Sequence, residues 1–522
     1  MLPRAPHLLG CVERAVQLRR NAPAFHDPNA VYTWLEFAGA VRAWADQLRA
    51  AGVRAGDRVT LLSFNSVAMF AAMYAIWRAG ALAVPLNFRL ADAELAVIDA
   101  DCRPLLLLAD TDHLPGALRI AKVRPALAVG SLPGLLDQAL ILHQAGRPQA
   151  AVNVPVEVCT LLYTGGTTGR PKGVMITDAA LLVQSQLMAQ AVALDADSVY
   201  IHSAPLFHVA DLHTGLAVSL MAGTHVFMPQ FSPAGLALTA HRHAATHLVG
   251  VPTMLQALVN APRFTAADFS SVRSISYGAA PMPPSVLARV RAAFPDAALH
   301  QFYGQTETSG AVTYLAPRWH RDMSHARLAS AGCVLPAHEL AVMTPDQSQT
   351  LMPGKAGEVC VRGPALMAGY WGDGLDESSA SPIDSAGWLR TGDIGVLDEE
   401  GFVTLVDRLR DMVVSGGENV YSIEVENCIA ACPGVRECAV IGMPDPLWGE
   451  RVHAVVVVDS DSADVAAFEL TVRNHCRAFL AGYKTPRSFT FRTQALPLSG
   501  VGKIRKNILR EQLAHEPVAL AG

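Results

Sequence analysis

The sequence predicts an α/β protein in which a large N-terminal domain of parallel-sheet α/β subdomains, with a β-barrel-like subdomain, precedes a small α+β C-terminal domain. Apolar strands alternate with helices over most of residues 33–303, which is typical of a parallel sheet. After residue 408 the pattern changes to a compact group of two helices and two strands. At 522 residues the chain is also too long for one core, so we expect at least two domains.

The N-terminal elements have recognisable boundaries. Apolar residues recur at helical spacing over residues 7–20. The next helix, over about 33–51, begins with a capping box formed by Thr33 and Glu36. The following elements are predicted as strand 59–62, helix 65–78, strand 81–86, helix 91–101 and strand 105–108. The rest of residues 103–155 is rich in proline and glycine and shows no readable pattern.

The alternation resumes in the second part of the large domain. It predicts strands at 199–203, 224–227, 247–251, 272–277 and 299–303, and helices at 212–221, 233–243, 253–260 and 284–294. Because the carboxyl ends of such strands meet at one edge of a sheet, we expect ligands there.

The C-terminal third predicts two further structures. Strands at 357–362 and 402–406 are assigned to the barrel-like subdomain. The small domain is predicted from helices 422–432 and 463–479 and strands 437–443 and 454–459. We place the boundary between the domains at residues 409 and 410, giving domains 1–409 and 410–522.

Composition excludes several classes of protein. A net charge of −5 provides no basic field for nucleic acid. The longest apolar run, residues 67–77, is shorter than the roughly 20 residues that span a bilayer, and no secretory signal is recognisable. We therefore expect no transmembrane segment and a cytoplasmic location, and leave monomer and homodimer open. Nine cysteines in a long chain suggest reduced thiols, including the cluster Cys428, Cys432 and Cys438. His241, His243 and His247 are interpreted as a solvated helix end rather than a metal site.

One glycine-rich stretch predicts phosphate binding. Tyr163 to Val174 reads YTGGTTGRPKGV. Its glycines let backbone N–H groups point inward, its threonines add hydroxyl donors, and Lys172 adds a mobile positive charge. A solvated turn has no need of this order, and the Walker A spacing is absent.

Other short motifs follow predicted strands. Residues 277–281 read YGAAP, and their small side chains would let a flat ring approach the backbone. Residues 301–307 read QFYGQTE; a carboxylate such as Glu307 can lie beside phosphates only with a divalent cation between them. Asp393 and Arg408 would each, in isolation, be interpreted as part of a turn or a surface ion pair.

In their order, these motifs resemble the adenylate-forming superfamily, which includes acyl-CoA synthetases, coumarate-CoA ligases, luciferases and peptide-synthetase adenylation domains. The resemblance extends from Thr33 to Arg510. It includes PLFH at 205–208, DRLRDMVVSGGENVYSIEVE at 407–426 and PLSGVGKI at 497–504. The chain differs in having Gly165 where relatives usually have Ser, Arg410 at the hinge position, and Asp211 near the acyl pocket.

The resemblance implies a role for each matching residue. Residues implied to bind the ATP phosphates are Thr164, Gly165, Gly166, Thr167, Thr168, Gly169 and Lys172. Residues implied to bind adenine are Gly278, Ala279, Ala280, Pro281, Gln301 and Tyr303. Residues implied to act elsewhere are Thr306 on the α-phosphate, Glu307 on Mg²⁺, Asp393 and Arg408 on the ribose, His208 at the acid, Ser415, Gly416 and Gly417 along the CoA tunnel, and Lys503 as the catalytic lysine.

The resemblance implies an ATP-dependent acyl-CoA synthetase that requires Mg²⁺ and CoA. A carboxylic acid, medium-chain fatty or aryl, would form acyl-AMP and then pass to CoA. The small domain would rotate between these half-reactions, which makes it mobile. Two alternatives remain open: a stand-alone adenylating enzyme that loads a separate carrier protein, and a non-catalytic nucleotide-binding regulator.

Overall fold

The structure is a computed structural model that describes residues 7–124, 127–145, 157–165, 171–262, 264–344, 349–372, 382–409, 411–415, 418–458, 465–498 and 504–514. The chain divides into two compact units. Unit 1 comprises Met1–Glu339 and Val361–Leu389, and unit 2 comprises Leu340–Cys360 and Arg390–Gly522. The predicted boundary between residues 409 and 410 falls inside unit 2 and stays a prediction.

The helices of the described residues are α1 (Leu8–Arg19), α2 (Trp34–Ala50), α3 (Val67–Ala79), α4 (Asp92–Cys102), α5 (Leu114–Val123), α6 (Leu132–Gln144), α7 (Asp178–Ala191), α8 (Val209–Met221), α9 (Pro233–His243), α10 (Pro252–Val259), α11 (Pro284–Ala293), α12 (Ser422–Ala430), α13 (Val465–Phe479) and α14 (Lys506–Ala514).

The strands up to residue 334 are β1 (Pro23–Asp27), β2 (Ala30–Thr33), β3 (Arg58–Leu62), β4 (Leu82–Pro85), β5 (Leu106–Ala109), β6 (Ala128–Ser131), β7 (Val158–Gly165), β8 (Pro171–Thr177), β9 (Val199–His202), β10 (Thr224–Phe227), β11 (His247–Gly250), β12 (Ser274–Gly278), β13 (Ala298–Gln305), β14 (Gly310–Leu315) and β15 (Cys333–Val334). The later strands are β16 (Glu339–Met343), β17 (Ala356–Arg362), β18 (Gly369–Tyr370), β19 (Leu389–Leu397), β20 (Val403–Arg408), β21 (Val413–Ser415), β22 (Glu418–Val420), β23 (Val435–Asp445), β24 (Gly449–Val458) and β25 (Ser488–Arg492).

Unit 1 contains two large, mainly parallel sheets. The first has the order β15-β14-β13-β12-β11-β9-β10-β1-β2, and its central strands from β13 to β1 pair in parallel. The second has the order β18-β8-β7-β4-β3-β5-β6, with β7, β8 and β18 antiparallel at one side. The prediction of a parallel-sheet α/β domain is therefore confirmed.

The longest apolar run of the sequence forms the central helix of unit 1. Every residue of α3 is buried, and the helix packs with the fully buried Trp34 and Trp44 of α2. A helix that is apolar all round requires burial on all sides, which this core provides. In the described part of the chain, no helix has both the length and the hydropathy that crossing a membrane requires.

Unit 2 contains smaller sheets. Strands β16, β17, β19 and β20 form a four-stranded sheet, and β21 to β25 form a five-stranded sheet that packs against α12, α13 and α14. The predicted strands at 357–362 and 402–406 correspond to β17 and β20, with β19 between them. The small α+β C-terminal fold is thus confirmed.

Most predicted elements agree with the structure to within a few residues. The capping box is present, since Thr33 Oγ1 accepts from the Glu36 amide at 3.2 Å and Glu36 accepts from the Thr33 amide at 2.8 Å. Sequence reasoning missed β1 and β2, the hairpin β7–β8, and the elements α5, β6 and α6 in the stretch that showed no readable pattern. It also missed β19, because Thr391 to Asp393 resembled a turn.

Candidate active site

The carboxyl edge of the first sheet of unit 1 gathers several predicted site residues. His208 follows β9, Gly278 ends β12, and Thr306 and Glu307 follow β13. Strands β9, β11, β12 and β13 are parallel neighbours, so the segments that follow them emerge at the same edge. Gln301 and Tyr303 lie on β13 itself, where Gln301 is in register with Tyr277.

Two glycines at this edge permit close contact between backbones. A Cβ added to Gly278 would lie 2.2 Å from the carbonyl oxygen of Phe302, and one added to Gly304 would lie 1.9 Å from that of Gly310. Real Cβ atoms do not approach so closely, hence neither position accepts a side chain without movement of the strand. The next residue, Ala279, has a φ of 65°, a left-handed conformation that is uncommon outside glycine. Ala280 and Pro281 follow it after the end of β12.

The predicted phosphate loop connects two antiparallel strands. Thr164 on β7 is paired with Lys172 on β8, and Gly165 is paired with Pro171. Gly166, Thr167, Thr168 and Gly169 lie outside the described residues. Lys172 therefore extends from a strand of the second sheet, and its Nζ lies 5.0 Å from the centroid of the Tyr370 ring.

Glu307 is bonded to a segment that belongs to the second sheet. The Tyr370 hydroxyl donates to Glu307 Oε1 at 3.0 Å, and the Met367 amide donates to the Glu307 carbonyl oxygen at 2.9 Å. Tyr370 lies on β18, which pairs with β8 beside Val174. Burial, and then the adjacent Glu307 carboxyl group, raises the pKa of Tyr370, so its hydroxyl keeps the proton that it donates.

The residues near Glu307 fit a magnesium ion shared with a nucleotide. Among the described residues, no group of three or more His, Cys, Asp or Glu side chains could hold a metal by itself. Mg²⁺ is commonly bound through one or two carboxylates plus substrate phosphates and water. A single carboxyl group with Oε1 bonded to a tyrosine that also contacts Lys172 matches that pattern.

Tyr370 was missed by sequence reasoning. Its contact with Glu307 joins residues 63 positions apart, and its ring contacts Lys172 from a third segment. No spacing in the sequence indicates such a contact, because the two sheets meet only in the folded unit.

His208 immediately precedes α8, and the centroid of its ring lies 4.4 Å from that of Phe207. Asp211, in the first turn of α8, contacts side chains of the core, which bears on the open question of its effect on the acyl pocket. It is completely buried, and its carboxyl group accepts from the Tyr200 hydroxyl at 2.6 Å and pairs with His202 Nδ1 at 2.7 Å.

The Asp211 contacts continue through the interior of unit 1. His202 Nε2 is bonded to His225 Nδ1 at 3.0 Å, and His225 Nε2 to Ser219 Oγ at 3.2 Å. We call these five residues, Tyr200, Asp211, His202, His225 and Ser219, the interior network. Burial lowers the pKa of His225 well below its ordinary value, so this imidazole is neutral near pH 7.

Two other expectations concern histidine and cysteine. His241 and His243 lie in the last turn of α9, but His247 is on β11, buried, with Nε2 donating to the Val192 carbonyl at 3.1 Å. The interpretation of His247 as solvated is therefore wrong. All nine cysteines are free thiols, as expected.

In unit 2, the predicted ribose residues contact each other. Asp393 on β19 is in register with Arg408 on β20, and Arg408 Nε lies 3.2 Å from Asp393 Oδ1. Ser415 is buried at the end of β21. Arg410, Gly416, Gly417 and Lys503 lie outside the described residues.

The segment after β20 is held by an ionic cluster inside unit 2. Asp407 Oδ1 accepts from the Ser422 hydroxyl at 2.9 Å, and Lys506 Nζ contacts both Ser422 Oγ at 2.5 Å and Glu426 Oε1 at 2.7 Å. Burial raises the pKa of Asp407 and of Glu426, and Lys506 opposes both shifts. This cluster fixes Ser422, the first residue of α12, against the end of β20.

These sheets, the strand-end carboxyl group and Lys172 on β8 agree with the adenylate-forming class of enzyme that the sequence resembles. Family models agree: that of the AMP-binding enzyme matches residues 12–371, and that of the AMP-binding enzyme C-terminal domain matches residues 424–503. The chain belongs to the AMP-binding enzymes, within the adenylate-forming acyl-CoA synthetase family.

Relatives in sequence cover nearly the whole chain. It is 37% identical over 504 residues to a feruloyl-CoA synthase of Amycolatopsis sp., covering 96% of this chain and 97% of that protein. It is 34% identical over 517 residues to an indoleacetate–CoA ligase of Aromatoleum aromaticum, covering 97% and 98%.

Solved structures show the same fold. ATP-bound MatB of Rhodopseudomonas palustris superposes with a TM-score of 0.86 at 29% identity, covering 98% of this chain and 99% of that one. The o-succinylbenzoate-CoA synthetase of Bacillus subtilis, in complex with ATP and magnesium ion, has a TM-score of 0.81 at 30% identity, covering 97% and 99%.

Proposed function

We propose that the protein is an AMP-forming acyl-CoA synthetase that activates a carboxylic acid with ATP and transfers the acyl group to CoA. The observation that carries this proposal is the arrangement around Tyr370, which contacts both the Lys172 ammonium group and the Glu307 carboxyl group. A lysine and a carboxyl group that contact one tyrosine from two different sheets suit a nucleotide whose phosphates are shared with Mg²⁺.

The first half-reaction joins the acid to AMP. An oxygen of the acid attacks the α-phosphorus of ATP, the bond from that phosphorus to the bridging oxygen breaks, and pyrophosphate leaves. Lys172 would neutralise phosphate charge, Thr306 would donate to the α-phosphate, and Lys503 would contact the attacking carboxylate and the α-phosphate. When bound through Glu307, Mg²⁺ supplies further charge neutralisation. Such catalysis rests on positioning and electrostatics, with no acyl-enzyme.

The second half-reaction transfers the acyl group to sulfur. The CoA thiol attacks the acyl carbon, loses its proton, and AMP leaves. Ser415, Gly416 and Gly417 would line the approach of the thiol, and His208 would control entry of the acid. Rotation of a small domain, residues 410–522, would exchange the two sets of residues. These assignments are part of the proposal.

The acid is proposed to be aryl or medium-chain fatty, with aryl acids first. Support comes from two relatives whose names specify acids with aromatic rings, feruloyl and indoleacetate. Similarity to a long-chain-fatty-acid–CoA ligase of Mycobacterium tuberculosis, at 33% identity, supports fatty acids as the second proposed class of substrate. A cytoplasmic location, and a monomer or homodimer, are also proposals that fractionation and sedimentation would test.

One assay tests the function and its alternatives. The protein is incubated with Mg·ATP, CoA and, separately, hydroxycinnamic, indoleacetic and octanoic acids, and AMP and thioester are measured. AMP together with a CoA thioester supports the proposal. Acyl-AMP that forms but is not consumed by CoA would instead indicate a loader of a carrier protein. Absence of AMP and pyrophosphate with every acid would favour a nucleotide-binding regulator.

A further inference from the structure

Glu307 and Lys172 reach the same place from different sheets of unit 1. Glu307 follows β13 of the first sheet, and Lys172 lies on β8 of the second. Each approaches Tyr370, whose strand β18 pairs with β8. A side chain that contacts both can fix their separation, which neither sheet determines alone.

The two contacts made by Tyr370 are chemically distinct. Its hydroxyl donates to Glu307 Oε1 at 3.0 Å, which restricts rotation of the carboxyl group and leaves Oε2 for another partner. The face of its ring lies 5.0 Å from Lys172 Nζ, within the range of a cation–π contact. Removing the hydroxyl should therefore affect Glu307 only, whereas removing the ring should affect both groups.

We propose that Tyr370 is a positioning residue that orients Glu307 toward the divalent cation of Mg·ATP and holds Lys172 beside the same phosphates. This role rests on the proposed function and deepens it, because it assigns the coupling between metal and phosphate binding to a side chain outside the matched motifs. Tyr370 does not touch the reacting atoms; it acts through Glu307 and Lys172.

The first test is binding, which needs neither the acid nor CoA. Calorimetry measures the affinity of the full-length protein for ATP in excess Mg²⁺ and for ATP in EDTA. For Tyr370→Phe we expect the advantage of Mg·ATP over free ATP to fall roughly tenfold, the scale of one hydrogen bond to a charged group, with free ATP affinity unchanged. For Tyr370→Leu we expect free ATP affinity to fall as well.

Tyr314→Phe is the matched control. Its hydroxyl is also bonded within unit 1, to His300 Nδ1 at 2.9 Å and to the Ala191 carbonyl at 3.1 Å, but not to Glu307. A parental ratio of Mg·ATP to free ATP affinity is expected for this variant. An equal loss in Tyr314→Phe, or an unchanged ratio in Tyr370→Phe, would overturn the proposal.

A double-mutant cycle separates positioning from a general effect on the fold. In a Glu307→Gln background, Tyr370→Phe should cause no further change in the ratio, since the group that it orients is gone. Additive losses would show that Tyr370 acts independently of Glu307 and would also overturn the role. If the parent makes no AMP with any acid, the proposed function fails, while these binding measurements still decide the role of Tyr370.

Discussion

The polar residues around Glu307 and those of the interior network both lie in unit 1, but they differ in exposure and in their partners. Tyr200, Asp211, His202 and Ser219 are each 0 to 1% exposed and are bonded to one another through His225. Glu307, Tyr370 and Lys172 are half-buried, and they meet across two sheets. Burial with satisfied hydrogen bonds is typical of a structural network, whereas half-buried charged groups at a strand-end edge remain able to meet a ligand.

The difference teaches how to interpret the unusual residue Asp211. Near the predicted acyl pocket in sequence, it would be expected to change the polarity of that pocket. In the structure it bonds two side chains of β9 and faces the core. Polar residues can therefore have different roles in the two places: we propose ligand binding at the edge of the sheet, whereas the interior network stabilises the fold. Four measurements test whether polar residues at the edge affect activity and those in the interior affect stability.

The largest effect is expected for Glu307→Gln. Loss of the carboxylate would remove the proposed ligand of Mg²⁺, so acid-dependent pyrophosphate exchange should fall about 10³-fold and require more Mg²⁺. The melting temperature should stay near that of the parent, because Glu307 is a half-buried residue at the edge of the sheet. A large loss of melting temperature with unchanged Mg²⁺ dependence would remove Glu307 from the site.

The second largest effect is expected for Asp211→Ala, which should lower the stability of the protein rather than its activity. Removal of the carboxyl group leaves the buried Tyr200 hydroxyl and His202 Nδ1 without their partner, which should destabilise unit 1 by about 3 kcal/mol. Denaturant unfolding measures the loss. In the fraction that stays folded, the Mg²⁺ concentration for half-maximal exchange should match the parent; a raised value would place Asp211 in the active site.

Sequence reasoning predicted the fold class and many element boundaries because local signals determine them. The Thr33–Glu36 capping box and the alternation of strands with helices are examples. It failed where pairing is non-local: β1 and β2 join the far side of a sheet beside β10, and β19 is a central strand that contains the turn-like Thr391 to Asp393.

For the site, the sequence predicted positions in the chain but not the contacts between them. The strand-end residues Gly278 and Glu307 lie at one edge, as parallel strands require. Neither the contacts of Tyr370 nor the interior network could be predicted from the sequence. The contact of Tyr370 with Glu307 depends on packing of the two sheets, whereas the interior network depends on how α8 packs against β9 and β10 of the first sheet. The assigned roles of Thr306, His208 and Lys503 stay predictions.

The third measurement uses pH. Burial lowers the pKa of His213, His247 and His320 to about 4 and that of His300 to about 3, against about 6.5 for an unfolded chain. Below pH 6.5 the unfolded chain binds protons that the folded chain excludes, so stability present above pH 6.5 is lost as pH falls. Each imidazole should cost about 2 kcal/mol at pH 5.

Buried carboxyl groups with a raised pKa, such as Asp407 and Glu426, act in the opposite sense. Burial raises the pKa of Asp27 to about 6, so its ionised carboxyl group destabilises the folded state at pH 7. This destabilisation decreases as pH falls from 7 to 5, because the carboxyl group becomes protonated. Because the histidines whose pKa is lowered by burial outnumber the carboxyl groups whose pKa is raised by burial, we expect a net loss of stability, measured by unfolding at pH 7 and pH 5. His300→Asn should reduce the number of protons taken up on unfolding by about one, and so reduce the slope of the unfolding free energy against pH. An unchanged slope would exclude His300 as a contributor.

The smallest effect is expected for Ser219→Ala, at the end of the interior network. Its hydroxyl is the partner of His225 Nε2, at 3.2 Å, and both groups are completely buried. The change should cost about 1 kcal/mol, less than Asp211→Ala because one hydrogen bond is lost instead of two.

Unfolding of Ser219→Ala, Asp211→Ala and the double variant tests the connection. If the bonds form one network, the double variant should lose less than the sum of the single losses, because a network already broken at Asp211 has less to lose at Ser219. Fully additive losses would mean that Asp211 and Ser219 stabilise unit 1 independently. The contacts through His202 and His225 would then provide no energetic coupling between them.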